Sequence, residues 1–488
     1  MRKHFSDQRR LDCQAVPNVA LNFNCRDEIV PVLTALRHIY SRPSLRNTIL
    51  DLVAQDVNEH SCSEFGRPGL DYWHIAVLAG VRLGCDIDYD KLQDLAEQHR
   101  AMRQIMGIGD WQEAIDFNAR RIRDNICWLK PGTIEAISNA IVDEGYELNP
   151  EAVKRQRADS FVAETNIHYP TESSLIVDGI RKVTELCVKL DEVYDLIGWR
   201  QHEHLLKRIK NVARKIARIS ARKGAKYKER LATQYRALLK RADTILTRAA
   251  ETCETLKAEY DLDVSSLGLI AEINVFMERT QQVCGTARRR VLEGETVPNE
   301  DKLFSIFEPH TQLYRRGKAG KPNQYGRLVL IYEDAAGFIS HHYVMPRDVQ
   351  DRDVVVEQTR KLQARLKQRI EEVSFDRGFH SPENQEQLSD IVGLACLPKP
   401  GSKQSAEQTK SASVKFHQAK QRHPGVESAI GALQSGNGLA RCRDGTEVGF
   451  ERYVALGVLG RNLHTLGKLL IAKEDVEALA AQSKRSAA

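Results

Sequence analysis

Apolar residues recur three and four positions apart through most of the first 150 residues, a period that predicts a succession of short amphipathic helices. The candidate spans are 27–40, 44–57, 71–83, 89–100, 118–129 and 132–144. In the third of them Ile75, Leu78, Ala79 and Leu83 form one stripe. Pro43 and Pro131 mark two helix starts, where a missing backbone N–H leaves no bond unmade. At residues 157–163 the alternation shortens to two, and Arg157-Ala158-Asp159-Ser160-Phe161-Val162-Ala163 reads as a strand. The helical period returns from about 174 to 292 in long charged runs with few breakers, which predicts a helical bundle or hairpin. Strand patterns resume at 325–333 and 337–345, and Asp334-Ala335-Ala336-Gly337 between them predicts a hairpin turn. A helix at 353–370 follows, with Val356, Thr359, Leu362 and Leu366 on one side. Short strands at 372–376 and 393–397, a polar loop at 398–420 and helices at 423–435 and 447–472 complete the pattern.

With the long helical stretch set aside, the order is strand, hairpin, helix, strand, strand, helix. That order predicts an α/β fold, a mixed sheet flanked by helices. The expected division is an N-terminal all-α domain over 1–150, a core assembled from 151–175 and 300–472, a helical insertion over 176–299, and a C-terminal tail over 473–488.

Composition narrows the class. Of 488 residues, 42% are hydrophobic and 28% charged, which is a globular chain of several domains. No apolar run approaches the ~20 residues of a membrane span, and the charged start leads into no apolar signal core, so the expected location is the cytoplasm, with no membrane partner. Ten scattered cysteines spell neither a zinc ribbon nor a disulfide framework. Trp73, Trp111, Trp128 and Trp199 are expected as core anchors. The net charge of +6 hides a strong asymmetry. Residues 205–248 hold 15 Lys or Arg against Glu229 and Asp243, so this stretch carries +13 and the remainder carries −7. Such a field suits a polyanion, and the competing explanation is a solvated helix face. Arg120, Arg121 and Arg123 in the first domain stand on a helix that is either a DNA-groove element or an ordinary surface helix.

Three acids are the candidates for chemistry. Asp159 lies in the first strand, Asp376 ends the strand Val373-Ser374-Phe375-Asp376 before Arg377-Gly378, and Glu427 falls near a helix start in Arg422-His423-Pro424-Gly425-Val426-Glu427. Three converging carboxylates make a hard oxygen site for Mg²⁺ or Mn²⁺. Two such ions about 4 Å apart clamp the attacking and leaving oxygens of a phosphoryl displacement.

The blocks around these acids carry a resemblance. Asp159-Ser160-Phe161-Val162-Ala163-Glu164-Thr165-Asn166-Ile167-His168-Tyr169-Pro170-Thr171 resembles the first catalytic block of DDE transposases of bacterial insertion sequences, most closely the ISNCY group. Residues 304–326, with Phe307-Glu308-Pro309-His310-Thr311 and Arg316-Gly317-Lys318, are similar to the group's middle block. Residues 374–384 resemble its second-aspartate block, and 422–430 with Arg461-Asn462-Leu463-His464 resemble its glutamate block. The resemblance spans most of 1–472 and is poor in the insertion. His423 stands where many related transposases carry arginine, and Gln434 where they carry lysine.

The resemblance implies a ribonuclease H-like catalytic core in which Asp159, Asp376 and Glu427 hold two Mg²⁺ ions, with Mn²⁺ as a substitute. It implies hydrolysis at the end of the element, then attack of the freed 3′-hydroxyl on target DNA. The partners it implies are double-stranded DNA, as terminal inverted repeats and target, and a second copy of the chain in the DNA complex. The alternatives are an inactive DNA-binding descendant and a metal-dependent nuclease of the same fold.

Several cations are candidate DNA contacts. Arg315, Arg316, Lys318 and Lys321 form a glycine-interrupted basic loop without the full pattern of a nucleotide-binding loop, so DNA phosphate or solvent is its expected partner. Arg377 and His380 flank Asp376, Arg422 precedes Glu427, and Arg214, Lys215, Arg218 and Arg222 lie in the basic stretch.

Overall fold

The computed structural model describes residues 11–61, 69–111, 117–224, 226–315, 322–399 and 414–486. Two compact units emerge, Met1–Asn166 with Arg327–Ala488, and Ile167–Gly326.

The first unit begins with seven helices: α1 (Ile29–Ser41), α2 (Pro43–His60), α3 (Tyr72–Gly84), α4 (Tyr89–Gln98), α5 (Arg100–Ile105), α6 (Ala119–Trp128) and α7 (Pro131–Leu148). Pro43 and Pro131 occupy first turns as their chemistry favours. The helix expected over 89–100 breaks at His99, which is extended (φ −78°, ψ 102°) and whose Nδ1 accepts from the Met102 N–H at 3.1 Å, capping α5. A side chain that caps the next helix ends the previous one.

The sheet is mixed. Its strands are β1 (Arg155–Thr165), β2 (Gln312–Tyr314), β3 (Gln324–Asp334), β4 (Ile339–Val344), β5 (Glu372–Phe375), β6 (Leu394–Cys396) and β7 (Arg441–Cys442). The order is β2-β3-β1-β5-β6, with β4 on β3 and β7 on β1. β5 and β7 run parallel to β1, β6 runs parallel to β5, and β4 is antiparallel to β3. The predicted hairpin is present, and its bend is held by Asp334, whose Oδ1 accepts from the Ala336 and Phe338 N–H groups at 2.8 and 3.0 Å. Gly337 completes the turn at φ +89°, where a side chain would be strained.

Four more helices belong to this unit: α12 (Asp351–Arg365), α13 (Pro382–Ile391), α14 (Val414–Arg422) and α15 (Val426–Gly436), before the terminal α16 (Glu447–Ser486). The other four, α8 (Glu172–Tyr194), α9 (His202–Arg222), α10 (Tyr227–Glu259) and α11 (Val264–Ala287), form the second unit. Its core includes Ile180, Cys187, Leu238, Leu246 and Ile273, and Trp199 donates from Nε1 to Thr252 Oγ1 at 3.1 Å.

Several expectations are corrected. The N-terminal helices do not close on a core of their own. Leu33, Leu36, Trp73 and Leu78 share one apolar cluster with Phe161 of β1, Ile331 of β3 and Leu459 and Leu463 of α16. α16 lies among α1, α3 and α7, burying apolar residues between Phe450 and Leu470, and Gly460 brings its backbone against that of Gly84, where a Cβ would lie 2.5 Å from the Gly84 nitrogen. It also continues beyond 472 to Ser486. α12 stops at Arg365 because Leu366 turns extended. Part of the expected 398–420 loop is helical, as α14, while 400–413 lies outside the described residues. Trp73 and Trp199 are fully buried and Trp128 stacks on His60, but Trp111 is 73% exposed. No helix is long and apolar enough to cross a membrane among the described residues.

Candidate functional site

β1 and β5 form a parallel pair in which Arg157 stands opposite Ser374 and Ala158 opposite Phe375. Opposed residues on neighbouring strands project from the same face, and successive residues alternate. Arg157, Asp159 and Ser374 therefore share one face. Asp376 follows one step beyond the last pair, just past the end of β5, and its extended backbone (φ −75°, ψ 167°) continues the alternation toward the side of Asp159. The other face is apolar: Tyr332 meets Phe375 edge-on at 6.2 Å and reaches α12 through a 2.8 Å bond between its hydroxyl and that of Thr359.

The segment joining α14 to α15 lies on the Asp159 face. His423 Nδ1 and Ser374 Oγ are 3.3 Å apart. Arg157 Nη1 donates to the Arg422 carbonyl at 3.3 Å, and Arg157 packs against Gly425 so closely that a Cβ there would lie 1.9 Å from Nη1. From this anchorage α15 runs along β1. Val426, Ala429, Ile430 and Leu433 join the core that contains Phe161 and Ala163, and Gln434 Nε2 donates to the Val162 carbonyl at 3.5 Å. Glu427, in the first turn of α15, is thus on the same side of the sheet as Asp159.

The local electrostatics agree with that placement. Burial pushes the His423 imidazole below its usual pKa, the carboxylates of Asp376 and Glu427 pull it back up, and Arg157 adds to the depression. Both carboxylates therefore act on one imidazole. Asp376 and Glu427 are exposed, and neither carboxylate has a hydrogen-bond or ion-pair partner among the described residues. Asp159 is half-buried, and its Oδ1 accepts from the Ser160 N–H at 2.7 Å. The donor set is all hard oxygen, as a divalent Mg²⁺ or Mn²⁺ requires. The acids share a face without closing a cage. Among the described residues no three His, Cys, Asp or Glu side chains are gathered tightly enough to hold an ion.

The candidate cations divide. Arg377 is exposed directly after Asp376, and His380 ends the short turn Arg377–Phe379. Arg422 is already engaged, with Nη2 2.7 and 2.9 Å from the two oxygens of Glu372 on β5. In the helical unit Arg214, Lys215, Arg218 and Arg222 are all exposed on α9, whose opposite side buries Ile209, Val212 and Ile216. Arg218 and Arg222 face Arg230 of α10 across a groove of about 360 Å³ that Ile219, Thr233 and Gln234 complete, with no acid in its lining. Arg315 is exposed in the same unit, while Arg316, Lys318 and Lys321 lie outside the described residues.

Two residues of the site escaped the sequence reading. Arg157 was legible in principle, since strand alternation places it on the face of Asp159 two residues on. Its partner Glu333 on β3 had no local signal, because only the pairing of distant strands brings the two together at 2.7 Å. Compared with known proteins, the chain matches no family model, and no curated protein or solved structure matches it.

Proposed function

We propose that the chain is a DDE-type transposase that binds the ends of its own element and cleaves and joins DNA through Asp159, Asp376 and Glu427. One observation carries the reading. Asp159 of β1 and Asp376, which directly follows the parallel neighbour β5, fall on one face by strand alternation, and a glutamate enters the same face on a docked helix, despite separations of 217 and 51 residues along the chain. The mixed sheet with helices on both faces supports a ribonuclease H-like core. The exposed basic stripe of α9 supports a DNA partner.

Asp159, Asp376 and Glu427 would hold the Mg²⁺ ions, which when bound activate water and neutralise charge on the reacting phosphate. The chain's own residues do the rest. Arg377 and His380, on the loop after β5, orient the scissile phosphate beside Asp376. Arg214, Lys215, Arg218 and Arg222 hold the duplex by its phosphates. Water displaces the 3′-oxygen at the element end, and the freed 3′-hydroxyl then displaces a 3′-oxygen of target DNA, so each step breaks one phosphodiester P–O bond as it forms another. Two ends must be processed together, so the working form is a dimer on DNA, acting at the bacterial nucleoid.

The test is cleavage of an end-containing duplex in Mg²⁺. Asp159→Asn, Asp376→Asn and Glu427→Gln should each abolish cutting and leave duplex affinity within about twofold, because each removes a ligand while keeping shape. A variant that still cuts clears its residue, and a wild type that binds without cutting leaves only a DNA-binding protein. Products separate the remaining possibility: joined strands mark a transposase, released fragments alone a nuclease.

A further inference from the structure

We propose that Arg157 is a positioning residue that sets Glu427 against the two aspartates by latching the start of α15 onto β1. This rests on the carboxylate reading above. The guanidinium is tied at both ends. Its Nη2 donates to Glu333 Oε2 on β3 at 2.7 Å, and its Nη1 donates to the Arg422 carbonyl at 3.3 Å. Glu333 is 94% buried as a side chain (6% exposed), so its oxygen is a fixed post rather than a mobile surface partner. Between the two ties the guanidinium fills the space beside Gly425, where a Cβ would stand 1.9 Å from Nη1 and 2.9 Å from Cζ. A side chain there would push the guanidinium off its two ties, so the glycine serves close approach of a side chain rather than an unusual backbone angle, since Gly425 has φ −62°.

Geometry makes this a device for Glu427. Arg422 and Gly425 bracket the short turn His423–Gly425 that delivers the chain into α15, and Glu427 is the second residue of that helix. A shift of the turn at Gly425 carries Glu427 with it, because only Val426, buried in the core, separates the two. Arg422 supplies a second tie, to Glu372 of β5, so the turn is fastened to strands on both sides of Asp159. A bidentate planar cation suits the first post. Lysine could reach Glu333 but offers one ammonium in place of a fork that spans carboxylate and carbonyl.

The experiment uses the full-length protein, with Arg157→Lys, Arg157→Ala, Gly425→Ala and the Arg157→Ala/Gly425→Ala double variant, each made with and without Glu427→Gln. Three quantities are read: duplex affinity, cleavage rate, and Mn²⁺ affinity by electron paramagnetic resonance. Arg157→Lys should lower the cleavage rate and Mn²⁺ affinity about tenfold or more, the usual scale for a residue that orients a ligand, with duplex affinity unchanged. In the Glu427→Gln background it should change Mn²⁺ affinity no further. Gly425→Ala should match or exceed that loss in the parent. The double variant should be no worse than Arg157→Ala alone, because the added methyl then has room. If the Ala variants fail to fold, Arg157→Lys decides. A folded Arg157→Lys protein with parental cleavage and Mn²⁺ affinity overturns the latch, as does a Mn²⁺ loss of equal size with Glu427→Gln present. A parental protein that neither cuts nor binds Mn²⁺ instead overturns the carboxylate reading, and the latch falls with it.

Discussion

Asp334 is 1% exposed at the bend of the β3–β4 hairpin, where it accepts two backbone N–H bonds. Burial pushes its carboxyl up to about 7, although those bonds favour the charged form. In the unfolded chain the same group titrates near about 3.9. Between about pH 4 and 7 the folded state therefore holds the extra proton, and stability falls as pH rises through that window. Asp334→Asn removes the titration. The stability of the variant relative to wild type should rise by up to about 1.4 kcal/mol per pH unit across the window and level off above it. Urea denaturation at steps of pH measures this, and a flat difference would show that the carboxyl titrates normally in the fold. The turn itself was legible, because Asp-Ala-Ala-Gly has a local side-chain acceptor and a glycine. The burial that perturbs the carboxyl was not.

Among the elements, the helices of the second unit show how little a sequence says about spacing. Gly179 of α8 meets Thr280 of α11, where a Cβ would lie 2.1 Å from the threonine Oγ1. Thr280 is fully buried, and its hydroxyl is committed to the Phe276 carbonyl at 2.6 Å, so it has nowhere to move. Gly268, on α11 as well, faces open space. Gly179→Ala should cost about 1–3 kcal/mol by overpacking. Gly268→Ala should stabilise by about 0.5–1 kcal/mol, because it removes the conformational penalty of glycine in a helix. Paired thermal melts check both, and two changes of the same sign would refute the packing argument. Gly179 falls within the apolar stripe of Leu175, Ile176, Ile180 and Val183, and Gly268 lies outside that of Ile270, Ile273 and Met277, so periodicity gives each glycine its face but not how close the neighbouring helix comes. The break at His99 and the helix at Val414–Arg422 were hidden for a related reason: a cap and a polar helix leave little trace in hydrophobic periodicity.

For the whole molecule, the charge distribution sets the expected behaviour with DNA. Residues 205–248 carry +13 while the rest of the chain carries −7. The four cations of α9 point to solvent rather than to partners in the bundle. Each phosphate neutralised on duplex DNA contributes about −0.9 to the slope of log K against log salt. Changing Arg214, Lys215, Arg218 and Arg222 together to Gln should flatten that slope by about 2 to 4 and weaken binding, with the cleavage position unchanged. Salt titration on one end-containing duplex decides it, and equal slopes would mean that this face serves solubility alone.

What the amino-acid order determined by itself is local: the helical and strand periods, the Asp334 turn, the basic stripe of α9, and acids placed at a strand centre, a strand end and a helix start. These follow from repeats of 3.6 and 2.0 residues, which any short window contains. The tertiary structure alone decided which face each acid occupies. Pairing of Ala158 with Phe375 puts Asp376 beside Asp159, and a slip of one residue would have turned it to the apolar side against α12. Docking of the His423–Gly425 turn on Arg157 brought Glu427 to that face, and packing of α16 drew the N-terminal helices into the sheet's own core. Each depends on contacts between residues far apart in the chain, for which periodicity carries no information.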